Sequence, residues 1–468
     1  MNKTTSTRSL ALMLSLAIAP ISQISFAANS VQPEFSSGLN IDSTLSLEQV
    51  TNDVTFLASD KLKGRGNFSA DINTAASYIA RRFSEVGLKS SPNNDNYNYK
   101  QGYSVKTISP SKVSAVINQQ EIAAEHLALA TNQTNINWLN TNKAEKVTSH
   151  IIAAGDNMRE ALQAINHQGG QHLVLVHPEH KKMFKRYQDY FAHGTTKLLE
   201  EKTNIKAASI VLALSDIETV NNFKVIGSAT VSITKLSNVV GILPGKSKAN
   251  EVVLYTAHYD HLGEKNSTDT NSEIYNGADD DASGVSAIIN LASHFAKLGN
   301  NERTLMFTAF SAEEIGGFGS RYFSKQLDAS SISAMINIEM IGKPAKFGSG
   351  TVWMTGIERS SLGEQLNQAL KKHSLTIYPD PYPEQNLFYR SDNATLARLG
   401  VPAHSFSSTQ LDKDQHYHQT SDDISSLDLK SMHQVIKTIA IATMPLVTGE
   451  ISPSRIDPNL VKNNGLIY

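Results

Sequence analysis

The chain has 468 residues, a formal net charge of -2, 40% hydrophobic and 18% charged residues, and no cysteine. That length suggests two or three domains with enough apolar material for a sizeable core, and the composition excludes a disordered chain. The near-neutral charge excludes a general nucleic-acid binder. The lack of cysteine excludes disulfides, iron–sulfur clusters, thiolate zinc sites and a cysteine nucleophile, so any metal must be held by His, Asp and Glu.

Along the chain, Lys3 and Arg8 precede a short apolar run from Leu10 to Ile18, and Ser25-Phe26-Ala27 supplies small residues at a cleavage position. Residues 1–27 read as an export signal, because the dense apolar part is too short to span a bilayer comfortably. The expectation is a periplasmic or secreted protein without stable membrane association, in a compartment where disulfides are allowed but not required. Leu47 to Ser59 and Ala70 to Val86 carry helical spacing, with Ile72, Ala75, Ile79, Phe83 and Val86 on one face and Gly87 as a stop. A turn-rich link, Lys61 to Gly66, joins them.

From 107 to 235 polar runs such as Thr131 to Lys143 alternate with strand candidates at His172 to Val176 and Ala208 to Ala213, with a basic helical run from His180 to Tyr190. This stretch reads as a smaller inserted domain. From 237 a β-then-α rhythm begins. Strands are expected at Asn238 to Leu243, Val252 to Ala257, Thr304 to Phe310, Ala334 to Met340, Thr351 to Thr355 and Ala403 to Phe406. Helices are expected at Gly284 to Leu298, Ile315 to Gln326, Ser360 to Lys372, Ala394 to Leu399 and Leu429 to Met444. The pattern predicts an α/β fold with a mainly parallel central sheet and helices on both faces. The expected organisation is a signal at 1–27, the first part of the main domain at 28–106, an insertion at 107–235, the main domain proper at 236–450 and a tail at 451–468.

Ligands of open α/β sheets bind beyond the carboxyl ends of the strands. There the chain places His258, Asp260 and His261, then Asp279, Asp280 and Asp281, then Glu313 and Glu314, then Glu339, then His416 and His418. Singly, an aspartate run is a solvated helix cap and a Glu-Glu pair a surface turn. Glu339 differs, because it lies in an otherwise buried-strand pattern where a lone carboxylate is costly. Collected at successive strand ends, these residues point to a metal site without sulfur, suited to Zn²⁺ or to Mn²⁺ and Co²⁺, with a shared carboxylate fit to join two ions. A carboxylate left over could then act as general base.

The stretches AHYDHLG (257–263), NGADDDASG (276–284), FTAFSAEEIGGFGS (307–320), NIEMIG (337–342), YRSDNATLARLGVPAHSF (389–406) and YHQTSDD (417–423), with LASDKLKGRG (57–66) upstream, resemble the co-catalytic di-zinc aminopeptidase family. This is the family of the Aeromonas and Streptomyces leucyl aminopeptidases, with glutamate carboxypeptidase and transferrin receptor as distant relatives. The resemblance implies two zinc ions bridged by Asp280. His258 and Glu339 would complete one site, and Glu314 and His418 the other. It further implies Glu313 as general base, Asp260 orienting His258, and Tyr417 aimed at the substrate carbonyl. Many members have aspartate where this chain has Glu339. His261 and His416 match no ligand and are expected at the rim. Residues 107–235 fall where some relatives carry a protease-associated insertion.

The implied reaction is removal of the N-terminal residue from peptide substrates by a water activated between the ions. Two alternatives stay open: a carboxypeptidase or dipeptidase on the same fold, with Arg390 or an insertion lysine holding the substrate carboxylate, and a non-catalytic binding protein. The sequence has no HExxH and no GxSxG, and Gly241 to Ser247 is one residue short of a phosphate-binding loop.

Overall fold

The β-branched and aromatic runs after 247 build the middle of the molecule. The computed structural model describes residues 41–91, 98–139, 146–201, 208–265 and 273–461, so the expected signal at 1–27 and residues 462–468 of the tail lie outside the described residues. Strands Lys248–His258, Arg303–Phe310, Ile332–Ile338 and Ala403–Ser407 run parallel at the heart of a mixed sheet. The last three are buried over nearly their whole length, as strands covered on both faces must be.

Lys248–His258 lies between Arg303–Phe310 on one side and Ile332–Ile338 on the other. The chain therefore winds first one way and then the other from this strand, and the crevice where the direction changes opens beyond His258. Both flanks of the parallel core are antiparallel: Phe223–Leu243 pairs with Arg303–Phe310, and Val352–Met354 pairs with Ala403–Ser407.

Helix Gly284–Leu298 has the limits expected from its sequence and stops at Gly299 in the left-handed conformation, φ 56°. Its expected single apolar stripe is an understatement, since every residue from Gly284 to Phe295 is buried. Helix Leu47–Leu57 covers the outer face, where Ser286 Oγ donates to the Val50 carbonyl and Asn290 Nδ2 to Asp53 Oδ2. Helix Asp71–Val86 buries Ile72, Ala75, Ile79 and Phe83, and helix Leu429–Val447 adds Met432, Val435, Ile436 and Ile439 to the same core.

Elsewhere the elements depart from expectation. The helix expected from Ile315 is Phe318–Ser324, because residues 313–317 form a turn in which the N–H groups of Gly316 and Gly317 both donate to the Glu313 carbonyl. Strands Lys100–Ile117 and Phe223–Leu243 pair antiparallel from Val239↔Lys100 to Phe223↔Ile117 and run without a break through positions 106–107 and 235–236. Between them, strands Leu127–Ala130, Ser209–Leu214, Gln171–Val176 and Val147–Ile152 form a separate four-stranded sheet with helices Met158–Gln168 and Lys181–Ala192. Part of the polar run at 131–143 is strand Asn135–Leu139, which turns Ile136 and Trp138 inward; residues 140–145 are outside the described part.

Candidate metal centre

His258 is the last residue of the middle strand. Its N–H is held by Asp281 Oδ2 at 3.3 Å, and its Nε2 lies 3.1 Å from Asp280 Oδ1 and 3.2 Å from Glu339 Oε1. Glu339 follows strand Ile332–Ile338. Its N–H donates to the Phe406 carbonyl at 3.0 Å, and its Oε2 accepts from Ser391 Oγ at 2.5 Å.

The three consecutive aspartates have three different surroundings. Asp279 accepts from Gly342 N–H, Thr409 Oγ1 and Lys343 Nζ at 2.7, 2.7 and 3.3 Å. Asp281 accepts from the N–H groups of His258, Gly284 and Met340 at 3.3, 3.0 and 3.1 Å. Only Asp280 turns its carboxylate to the histidines: Oδ1 to His258, and Oδ2 to His418 Nε2 at 3.3 Å. Asp422 fixes this turn by accepting from the N–H groups of Asp279 and Asp280, both at 3.1 Å.

After strand Arg303–Phe310, the Asp260 carboxylate accepts from Glu313 N–H and Glu314 N–H at 3.1 Å each and from Asn67 Nδ2 at 2.6 Å. The expected contact to His258 is made differently: Nδ1 is 3.1 Å from the Asp260 backbone carbonyl and 3.8 Å from its carboxylate. The Asp260 side chain therefore braces the Glu313–Glu314 turn, and its main chain orients His258. On the last loop, Asp414 accepts from Tyr417 N–H at 3.0 Å and from Lys343 Nζ at 2.8 Å. This presents His418 Nε2 at 3.2 Å from Glu314 Oε2, with the Tyr417 ring stacked on His418 at 3.9 Å.

Three non-glycine residues in the left-handed region mark these points: Ala312 (φ 60°) before Glu313, Met340 (φ 51°) after Glu339, and His418 itself (φ 57°). Each costs about 1 kcal/mol or more, a strain that collects where function dictates backbone direction.

His261 is not at the rim as expected. It is 1% exposed, with Nδ1 at 2.6 Å from Glu314 Oε1 and 3.8 Å from Asp280 Oδ2. The sequence offered one signal, its place three residues after His258 in the loop leaving the middle strand. His416 is half-buried and bonds Ser421 Oγ at 2.9 Å within its own loop.

The described residues thus contain two sets of potential ligand atoms, His258–Asp280–Glu339 and His261–Asp280–Glu314, each within 4.8 Å of one another and sharing Asp280. The edges of 3.1–3.3 Å from His258 and His418 to their carboxylate oxygens match the edge of about 3.3 Å that a tetrahedron of ligands around Zn²⁺ requires.

The charges agree with that fit. Burial alone would lower the pKa of His258, yet Glu339, Glu313 and Asp280 outweigh it and hold it well above its ordinary value. His418 is likewise pushed up to about 10, against burial, by Asp280 and Glu314. Asp280, which burial would raise, is held well below the usual carboxylate range by His258 and His418. Burial raises Glu313 well above it, with His258 opposing and Glu339 and Asp392 adding to the rise. A site that holds this many like charges together is built for cations.

Residues 238–443 match the model of peptidase family M28. Leucine aminopeptidase 1 of Neurospora crassa is 29% identical over 217 residues, 44% of this chain and 53% of that protein. The vacuolar membrane protease of Schizosaccharomyces pombe is 28% identical over 172 residues, 37% of this chain and 18% of that protein. The chain thus spans about half the length of the leucine aminopeptidase it matches. Among solved structures, the aminopeptidase from Aneurinibacillus sp. strain AM-1 shares 16% identity with a TM-score of 0.55, covering 91% of this chain and 98% of that one. The zinc aminopeptidase BSAP of Bacillus subtilis shares 15% identity with a TM-score of 0.52, covering 89% and 99%. The fold is therefore the one these aminopeptidases share, and residues 238–443 are similar to peptidase family M28.

Proposed function

We propose that this chain is an exported zinc aminopeptidase that removes the N-terminal residue of peptides. The single observation that carries the reading is Asp280, whose two carboxylate oxygens face opposite histidines, His258 and His418. In this reading His258, Glu339 and Asp280 hold one Zn²⁺, and Asp280, Glu314 and His418 hold a second. When bound, the ions would lower the pKa of a water between them and polarise the scissile carbonyl.

The chain's own groups supply the rest. Glu313 is buried and holds its proton more tightly than an ordinary carboxylate. It is therefore suited to take a proton from the attacking water and return it to the leaving amine. Burial, with Asp280 and Glu314, pushes the Tyr417 phenol up, so it stays protonated and can donate to the carbonyl oxygen as charge develops there. The similarity to Neurospora crassa leucine aminopeptidase 1 supports an aminopeptidase over a carboxypeptidase. Export rests on the residue pattern of 1–27.

The test is turnover of an aminoacyl-nitroanilide against an N-blocked dipeptide, with Glu313→Ala as control. Wild type should cleave only the free-amine substrate. Glu313→Ala should keep its zinc and lose about 10²–10⁴ in rate. Turnover of only the blocked substrate would sink the aminopeptidase reading, and an active Glu313→Ala would remove Glu313 as base.

A further inference from the structure

His261 is a fully buried imidazole beside a cluster in which Asp280, Glu314 and His418 already supply the ligands of the second ion. Its Nδ1 is 2.6 Å from Glu314 Oε1, while His418 Nε2 is 3.2 Å from the other oxygen, Oε2. Two donors on one zinc ion sit about 3.3 Å apart, whereas a separation as short as that from His261 is that of a strong hydrogen bond, close to the charge-assisted range of about 2.7–2.9 Å. The two oxygens of Glu314 therefore have different surroundings: Oε2 faces His418, and Oε1 lies at hydrogen-bond distance from His261 Nδ1.

The tautomer agrees. His261 Nε2 is buried and has no hydrogen-bond partner among the described residues. If Nδ1 ligated an ion, the ring proton would sit on Nε2 as a buried orphan donor, at a cost of about 1–3 kcal/mol. With the proton on Nδ1, Nε2 is an unprotonated lone pair, and under-satisfied acceptors are the better tolerated kind of orphan. The ring has little freedom to turn, since Gly277, in the left-handed region at φ 55°, packs so closely that a Cβ there would lie 2.5 Å from His261 Cγ. The His261 N–H in turn donates to the Arg65 carbonyl at 3.3 Å.

We propose that His261 is a positioning residue that donates its Nδ1 proton to Glu314 Oε1 and so restricts Glu314 to a one-oxygen grip on the second zinc ion. This rests on the reading of the Asp280 cluster as a two-ion site. It separates the two positions in character: Glu314 is steered by an imidazole, whereas Glu339 is steered by the hydroxyl of Ser391.

The experiment is titration of the metal-free full chain with Zn²⁺ against a competing chelator, for wild type, His261→Asn and His261→Leu. Co²⁺ absorption spectra of the doubly loaded forms report coordination. The asparagine amide nitrogen falls near the position of Nδ1 and can donate; leucine cannot. His261→Leu should weaken one of the two binding steps by about 10–100-fold, the range for loss of an outer-shell partner. It should also change the Co²⁺ spectrum toward higher coordination as Glu314 turns bidentate. His261→Asn should restore both affinity and spectrum. If His261→Leu does not fold, the comparison of His261→Asn with wild type still decides, because loss of a ligand would alter its spectrum and retention of a donor would not. An asparagine variant with weakened binding and a changed spectrum would make His261 a ligand and overturn the proposal. So would a folded leucine variant that binds both ions normally. A wild-type chain that binds no zinc would overturn this proposal and its parent reading together, whereas normal two-step binding without peptidase activity would count against the parent reading alone.

Discussion

Asp279, Asp280 and Asp281 show how little residue type says about role. They are adjacent, alike in chemistry and all buried, yet only Asp280 faces imidazoles, while Asp281 satisfies three backbone N–H groups from three segments. Removing the Asp281 carboxylate strands those donors at about 1 kcal/mol or more each. In metal-free protein, Asp281→Ala should therefore lose about 3 kcal/mol or more in urea denaturation, and Asp280→Ala should lose less. Metal binding should show the sharper effect for Asp280→Ala, which removes a donor from both ligand sets. The reverse order of stabilities would show that the braces have been assigned to the wrong residues. Asp260 makes the same point. Its expected role toward His258 is carried by its backbone carbonyl, and no pattern of residue types distinguishes a carbonyl from a carboxylate.

At the scale of elements, the ligands sit on five separate segments that have to be fixed to one another. Arg65 is the main tie. Its fully buried guanidinium donates to the carbonyls of Leu57, Tyr259, Asn276 and Gly277 at 2.6, 2.8, 2.6 and 2.9 Å, joining helix Leu47–Leu57 to the loops that follow His258 and precede Asp280. Arg65→Met leaves four buried acceptors without a donor and should cost about 3–5 kcal/mol, with weaker zinc binding as the loops separate. A melting temperature unchanged from wild type would refute the tie. Lys343 acts similarly on the opposite side, between Asp279 and Asp414.

The elements differed in how far the sequence foretold them. Strands Arg303–Phe310 and Ile332–Ile338 were legible because burial on both faces writes itself as an apolar run, and helix Gly284–Leu298 because its stop is a glycine. Strand Lys100–Ile117 was not, and of Phe223–Leu243 only the end from Asn238 was. They partly face solvent, carry Ser, Thr and Lys, and are held by pairing to residues more than a hundred positions away, which local periodicity does not record. The ligands on strand ends were visible for the same reason that the parallel strands were. His261 was not, because its importance lies in burial against Gly277 and Glu314, a tertiary fact.

For the molecule as a whole, folding assembles a cluster of carboxylates and imidazoles that neutralise one another only partly, so proton and metal compete for it. Against burial, the surrounding carboxylates raise the pKa values of His258 and His418 in the metal-free protein. Ligation needs unprotonated imidazole nitrogens, so loading with metal must release protons. Affinity therefore rises with pH and falls as acid returns protons to the histidines. Calorimetric titration in buffers of different ionisation enthalpy measures this directly, and zinc binding without proton release would contradict the charge states described.

The central claim is that Asp280 joins two cations, one toward His258 and one toward His418. Anomalous diffraction at the zinc edge, from crystals of active metal-loaded enzyme, tests it most directly. The account predicts two peaks about 3.5 Å apart, one on each side of the Asp280 carboxylate, and neither in Asp280→Ala. A single peak in fully active enzyme, or two peaks that persist without the Asp280 carboxylate, would contradict it.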